Sequence, residues 1–293
     1  LIATPWFYVN REAFYDFLER APGHITVMYG CHEAIAPDFM LFDYYIGLDA
    51  VPGSDRTVKL PFLRHHLQEV HGGKAGLDVR ALLASKTGFC NFIYANRKSH
   101  PNRDAIFHKL SSVRFVNSLG PHLNNTPGDG HRSEDWYASS IRMKKPYKFS
   151  IAFENAWYPG YTSEKIVTSM LAGTIPIYWG NPDIGREFNS AAFINCHDFP
   201  TLDDAAAYVK KVDKDDGLWC EIMSRPWKTL EQEALFLEET ERETAKLYRI
   251  FDQSPEEARR KGDGTWIAYY QRFLKRGHRL RLAWRRLKNR LRH

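Results

Sequence analysis

A chain of 293 residues with 43% apolar and 26% charged residues has the composition of an ordinary folded protein, long enough to bury a sizeable core in one or two domains, and this excludes disorder over most of its length. No apolar run approaches the length that spans a bilayer. Cys31, Cys90, Cys196 and Cys220 stand singly without CxxC spacing, so neither a zinc site nor a disulfide framework is expected, and reduced thiols in a cytosolic setting are the simplest account.

The net charge of +6 belongs to one end. Residues 272–293 hold ten Lys or Arg and no acid, which leaves 31 basic against 35 acidic residues in the remainder. The first residue is Leu1, and the opening has no charged region followed by an apolar core and a cleavage site, so no signal peptide is read. The opening reads instead as the interior of a fold, with an N-terminal segment left out.

In chain order, residues 2–9 are apolar, 11–20 helical in character and 25–29 a short strand, the start of an α/β pattern. Gly30-Cys31-His32-Glu33-Ala34 follows that strand as an edge loop, where catalytic side chains commonly sit. Residues 42–48 and 58–62 read as further strands around a Pro52-Gly53 turn. After a polar stretch over 64–78 and a helical run at 79–85, the change of pattern places a domain boundary near Ser85.

A second α/β pattern opens with the strand FCNFIYA within 88–96. A helix over 100–110 follows, with Arg103 at its start, then a strand over 113–117 and a loop over 120–134 rich in Gly, Pro, Asn and His. An arginine at a helix start can fork onto phosphate oxygens, although most helical arginines are surface residues.

Residues 147–180 form the centre of the pattern: a strand at 148–153, a helix, and a strand at 174–179. Thr162 or Ser163 caps the helix start, Glu164 fits its first turn, and Gly173 fits the left-handed position that ends it. In such a βαβ unit the first loop and the helix start lie at the carboxyl edge of the sheet, where open α/β sheets bind ligands. Unpaired amides and the helix dipole there suit a phosphate, and Lys165 adds a full charge. Glu154, Asn155 and Tyr161 are placed to meet polar groups of the same ligand; the alternative is that Glu164 and Lys165 are only a solvated first turn.

Beyond this unit, 192–195 reads as a strand, 202–212 as an amphipathic helix and 228–262 as charged helix broken at Gly262-Asp263-Gly264. Leu280, Trp284, Leu287 and Leu291 then recur at helical spacing among arginines. An amphipathic basic helix of this kind suits an anionic membrane surface; nucleic acid, or packing on the protein body, is the competing use.

The strings FEN, YTSEK and IPIYWG in this order, with LFDYYIGLDAV upstream, closely resemble the alpha-1,3/4-fucosyltransferase family, bacterial members above all. The resemblance covers most of residues 1–225 and is densest over 147–199. It implies the α/β GT-B fold: two Rossmann-like domains facing across a cleft. Residues 1–84 form the acceptor-binding domain, its start missing, 85–225 the GDP-fucose-binding domain, and 226–293 a helical extension ending in the basic tail.

By the same resemblance the donor is GDP-fucose, with Arg103 and Lys165 at positions that hold its diphosphate and Asn155, Tyr161 and Glu164 at other donor positions. Glu154 and His32 are additional candidates. Glu33 aligns with the proposed general base, although His32 and Ala34 replace the flanking glycine and asparagine of related bacterial sequences, which puts the acceptor contacts in doubt more than the base.

The implied reaction is inverting transfer of L-fucose to a hydroxyl, O3 of GlcNAc or Glc, in a lactosamine- or lactose-type glycan such as a lipopolysaccharide O-chain. No metal or cofactor is required, since no strand-terminal DxD motif is present, and a divalent cation is at most stimulatory. The expected location is the inner face of the bacterial cytoplasmic membrane, held peripherally by residues 272–293, with no nucleic-acid partner. The alternatives are a GT-B transferase using another sugar nucleotide, or a non-catalytic carbohydrate- or nucleic-acid-binding protein.

Overall fold

Short apolar runs alternating with helical stretches close into two parallel sheets. The computed structural model describes residues 2–3, 14, 23–30, 33–48, 51, 53–60, 76–127, 135–262 and 264–290. Its contacts divide the chain into two units, Leu1–Leu60 with Thr240–His293, and Pro61–Glu239.

In the first unit β1 (Ile2–Ala3), β2 (Val27–Tyr29), β3 (Tyr44–Gly47) and β4 (Thr57–Lys59) lie side by side in chain order, all parallel. Side chains alternate between its faces. Met28 and Tyr45 join Phe14, Leu41 and Phe42 on one face, whereas Val27, Tyr44 and Val58 form the other.

The second unit opens with α1 (Val79–Ala84). Its sheet has the order β6-β5-β7-β8-β9, from β5 (Gly88–Phe92), β6 (Val116–Ser118), β7 (Tyr147–Phe153), β8 (Ile175–Trp179) and β9 (Ile194–Asn195). Its helices are α2 (Asn102–Val113), α3 (Trp136–Lys144), α4 (Glu164–Leu171), α5 (Ile184–Glu187), α6 (Leu202–Lys214) and α7 (Asp216–Ser224). Ile166, Val167 and Met170 of α4 pack with Ala152 and Tyr178 on one face. Phe149, Ile151, Phe153, Ile175 and Ile177 face α2, α6 and α7 on the other.

Most elements fall where the residue pattern places them, shifted by a few residues. α3 is an element that the pattern does not announce. The sequence-based partition differs from the contacts in two places. Leu82 and Leu83 of α1 pack against the second sheet's core, so the region before Ser85 divides near residue 60. The helical extension is also not separate. It begins with α8 (Leu230–Asp252), which crosses the division, and continues through α9 (Pro255–Ala258) and α10 (Thr265–Arg290).

Leu247, Ile250 and Ala258 cover one face of the first sheet, and Tyr270 and Leu274 of α10 cover the other. Asp43 fastens this arrangement. Oδ1 accepts from the amides of Arg260 (3.0 Å) and Lys261 (2.6 Å), and Oδ2 accepts from the amide and hydroxyl of Thr26, both at 2.7 Å.

Candidate active site

The helix α4 has the two ends that its sequence calls for, reached by a different start. Gly173 takes φ +64°, its amide donates to Met170 O and that of Thr174 to Ser169 O, so a left-handed glycine closes the C-terminus. At the N-terminus Ser163 occupies the capping position, but its hydroxyl makes no capping bond. It turns instead to Glu154, 2.7 Å and 2.9 Å from the two carboxylate oxygens.

Glu154 is the residue on which this edge closes. Its amide donates to Trp179 O (2.8 Å), one step past the end of β7, and its side chain turns inward and is fully buried. Its carboxylate accepts the Ser163 amide (2.8 Å) and the Lys165 ammonium (2.9 Å) besides the Ser163 hydroxyl. The Glu154 carboxylate, placed by the pattern at the strand end, is thus bonded within the protein. Gly180 makes the room, since a Cβ there would lie 2.5 Å from Glu154 Cβ and Cγ.

Lys165 is likewise not a bare charge. Its Nζ lies 2.9 Å from Glu154, 2.8 Å from the Ser163 hydroxyl and 3.9 Å from Glu164. Burial alone would favour the neutral amine, but the carboxylates of Glu154 and Glu164 outweigh it and hold the pKa above its ordinary value. Burial pushes the Glu164 carboxyl up, whereas Lys165 and its own backbone amide bring it to a net value below the usual range.

Arg103 sits in the second place of α2 with its side chain wholly buried. One terminal nitrogen donates to Asn155 Oδ1 at 3.0 Å and the other to Asn96 O, while the guanidinium lies 4.3 Å from the centre of the Tyr94 ring. Nε has no partner, and no carboxylate among the described residues bonds to this cation. Burial draws its pKa down, against the pull of Tyr94, Asp104 and Glu154. A guanidinium nevertheless stays charged in a protein, so this is a buried positive charge with a donor to spare.

The strand order explains the convergence. From β5 the chain crosses to β6 on one side and then to β7 on the other, so the crevice outside the carboxyl ends of β5 and β7 is the switch point of the sheet. Asn96 and Arg103 follow β5, and Glu154, Asn155, Glu164 and Lys165 follow β7. Tyr161, 2% exposed, belongs to the same edge, where its carbonyl accepts from Tyr178 (3.4 Å).

Residue patterns alone did not single out Tyr94, Asn96 or the rings beside them. His100 lies 4.5 Å from Trp179, the last residue of β8, which stacks on His197 at 5.8 Å. Tyr94 is the last aromatic residue of the apolar run FCNFIYA, a signal that could have found it; the Asn96 carbonyl leaves none in the sequence.

Glu33 belongs to the first unit, in the loop after β2. Its amide donates to Gly30 O (3.0 Å), its carbonyl accepts from Ile35 (2.9 Å), and the residue is exposed. His32 lies outside the described residues. Among the described residues no group of three or more His, Cys, Asp and Glu side chains is placed to hold a metal. In the acidic run after Val212, Asp213 pairs with Arg114 (3.1 Å) and Asp215 caps α7.

Two units, each built on a parallel sheet, are the architecture of the GT-B class of glycosyltransferases. Residues 83–257 match the model of glycosyltransferase family 10 (fucosyltransferase), C-terminal part, and the chain belongs to that family. An alpha-(1,3)-fucosyltransferase of Helicobacter pylori is 30% identical over 236 residues, 70% of this chain and 48% of that protein. A putative fucosyltransferase of Acanthamoeba polyphaga mimivirus is 33% identical over 190 residues, 63% of this chain and 31% of its own. The chain thus spans half or less of these relatives' lengths.

Among solved structures, an alpha1,3-fucosyltransferase matches with TM-score 0.62 at 26% identity, covering 74% of this chain and 68% of that one. An alpha1,3-fucosyltransferase with GDP-fucose matches at 0.58 and 27% identity, covering 74% and 75%.

Proposed function

We propose that the protein is an inverting fucosyltransferase that moves L-fucose from GDP-fucose to a hydroxyl of a lactosamine- or lactose-type glycan, O3 of GlcNAc or Glc, such as a lipopolysaccharide O-chain. The observation that carries the donor side is Arg103, a buried cation with no bonded carboxylate among the described residues and an unused Nε, at the switch point beside the start of α4. Such a charge is costly without an anion, and a diphosphate supplies one. The solved relative with GDP-fucose supports the same donor, and the alpha-1,3 linkage named for relatives supports O3.

In this mechanism the acceptor hydroxyl gives its proton to Glu33 as it attacks fucose C1 from the face opposite GDP, so β in the donor becomes α in the product. Negative charge grows on the leaving diphosphate. Arg103, Lys165 and the amides at the start of α4 stabilise it with groups already fixed in place, each worth about 2.7–4 kcal/mol of barrier if it acts like an oxyanion donor. Asn155 holds the Arg103 fork by its side-chain oxygen, and Tyr161 and Glu164 meet the remainder of the nucleotide sugar.

The basic end of α10 completes the proposal. Leu280, Trp284 and Leu287 are exposed among its arginines, and no helix of the described residues is long and apolar enough to cross a membrane. We assign this segment, with the rest of residues 272–293, to peripheral attachment on an anionic membrane surface, the inner face of the cytoplasmic membrane.

The test is transfer from GDP-fucose to N-acetyllactosamine or lactose without added metal, followed by GDP release and product linkage. An alpha-1,3-fucosylated product is the expected result. No binding of any GDP-sugar would overturn the donor reading, and binding without transfer to either sugar would overturn the acceptor.

A further inference from the structure

α3 ends on a lysine that enters the protein instead of leaving it. Lys144 is 5% exposed, and no carboxylate among the described residues pairs with it. Its Nζ lies 2.6 Å from the Thr168 hydroxyl, 3.3 Å from the Ser169 hydroxyl and 3.5 Å from Lys165 O. An ammonium has three N–H donors, and three acceptors meet it, all from α4. The Ser169 hydroxyl lies 3.1 Å from that of Ser150 on β7, which donates to Asn91 on β5, so the cation ends a polar chain through the sheet.

We propose that Lys144 is a positioning residue of the donor site: a second, buried cation that holds the first turns of α4 from behind. The inference rests on the donor reading above.

Three things favour it. Lys144 bonds the carbonyl of Lys165, the residue assigned to the diphosphate, so it fixes the backbone on which that ammonium stands. The titratable groups that act on it are those of the candidate site: Glu164 and Glu154 favour its charge, and Lys165 opposes it. Finally, burial brings its pKa down to about 7, where neutral and charged forms coexist. A diphosphate added at the start of α4 raises that pKa, and by linkage the donor binds more tightly as pH falls toward 7 and takes up a proton as it does so.

The experiment is calorimetry of GDP-fucose binding to the full chain across pH, in two buffers of different ionisation enthalpy. The diphosphate of GDP-fucose does not itself titrate near neutrality. Wild type is expected to take up about half a proton per donor near pH ~7.5, and its affinity to rise about three- to tenfold between pH ~8.5 and ~6.5. Lys144→Met, close in volume and needing no hydrogen bonds, should abolish that uptake and flatten the profile.

Thr168→Val removes the nearest acceptor and should move the midpoint to lower pH. Equal uptake in wild type and Lys144→Met overturns the inference while leaving the donor site in place. If Lys144→Met does not fold, an unmoved midpoint in Thr168→Val overturns it. No binding of GDP-fucose by wild type removes the donor reading and this inference with it.

Discussion

The carboxyl edges of the two sheets are built in opposite ways. In the second unit the charges turn inward and hold one another: Glu154 is fully buried under Ser163 and Lys165, and Arg103 is wholly enclosed between Asn96, Asn155 and Tyr94. In the first unit Glu33 is itself exposed in the loop after β2, and its amide and carbonyl are bonded within that loop. A group that must stabilise charge benefits from rigidity and exclusion of water, whereas a base that must meet a large acceptor has to be reachable. The contrast also separates two kinds of mutational effect, since a change at Glu33 bears first on the proposed chemistry and a change at the buried edge bears on folding too.

The largest expected effect is at the exposed edge. Glu33→Gln should lower turnover about 10²–10⁴-fold while leaving GDP-fucose affinity unchanged. Parallel kinetics and calorimetry check this; a loss of donor affinity as large as the loss of turnover would make the contrast false.

At the inward edge, Lys165→Ala leaves the Glu154 carboxylate buried with no cation and should cost about 3–5 kcal/mol of stability, measured by urea unfolding. The double change Glu154→Gln with Lys165→Met removes both charges and should recover most of that loss. Donor affinity should stay weak in the double variant, which separates the two roles of Lys165.

Asp43 gives a smaller effect and shows that a buried carboxylate need not belong to a site. Burial pushes its carboxyl up, but the amides of Lys261 and Thr26 and the Thr26 hydroxyl bring it below its ordinary value. Protonation is then harder in the folded chain than in the unfolded one, so the stabilisation is present above the ordinary carboxylate range and is lost as pH falls through the lower folded value. Asp43→Asn should cost about 1–3 kcal/mol near neutrality. The gap between its melting temperature and that of wild type should close as the pH is taken below about 4.

Much of the candidate site was legible because its parts are local. FENAWYPGYTSEK carries Glu154, Asn155, Tyr161, Glu164 and Lys165 within one strand-to-helix crossing, and the period changes that mark β7, α4 and β8 are plain. What was not legible depends on long-range pairing. Arg103 and Asn155 are 52 positions apart, and only the strand order brings them together.

Glu154 is placed by its position after the strand, beside the helix start; nothing in the pattern says that its side chain is buried or that Gly180 opens an interior space for it. Lys144 was hidden in the unannounced helix α3. The docking of α8–α10 on the first unit turns on Asp43 reaching Arg260 and Lys261, a contact across more than 200 positions. Short parallel strands with helices from the far end of the chain leave little periodic trace of who covers whom.

The Tyr270 hydroxyl donates to Asp38 (3.0 Å), and Tyr270 and Leu274 pack on the core of the first unit, whereas Leu280, Trp284 and Leu287 of the same α10 are exposed. From Leu274 to the end of the helix is a rod of about 24 Å at 1.5 Å per residue. A rod transmits phase as well as reach: one residue inserted after Leu274 would turn the exposed stripe by about 100° about the helix axis, whereas seven would return it to within about 20° and only lengthen the arm. The direction in which the arginines and Trp284 face is therefore written in the number of residues between them and Leu274, and the grip of this helix on the first sheet is what gives that number a meaning.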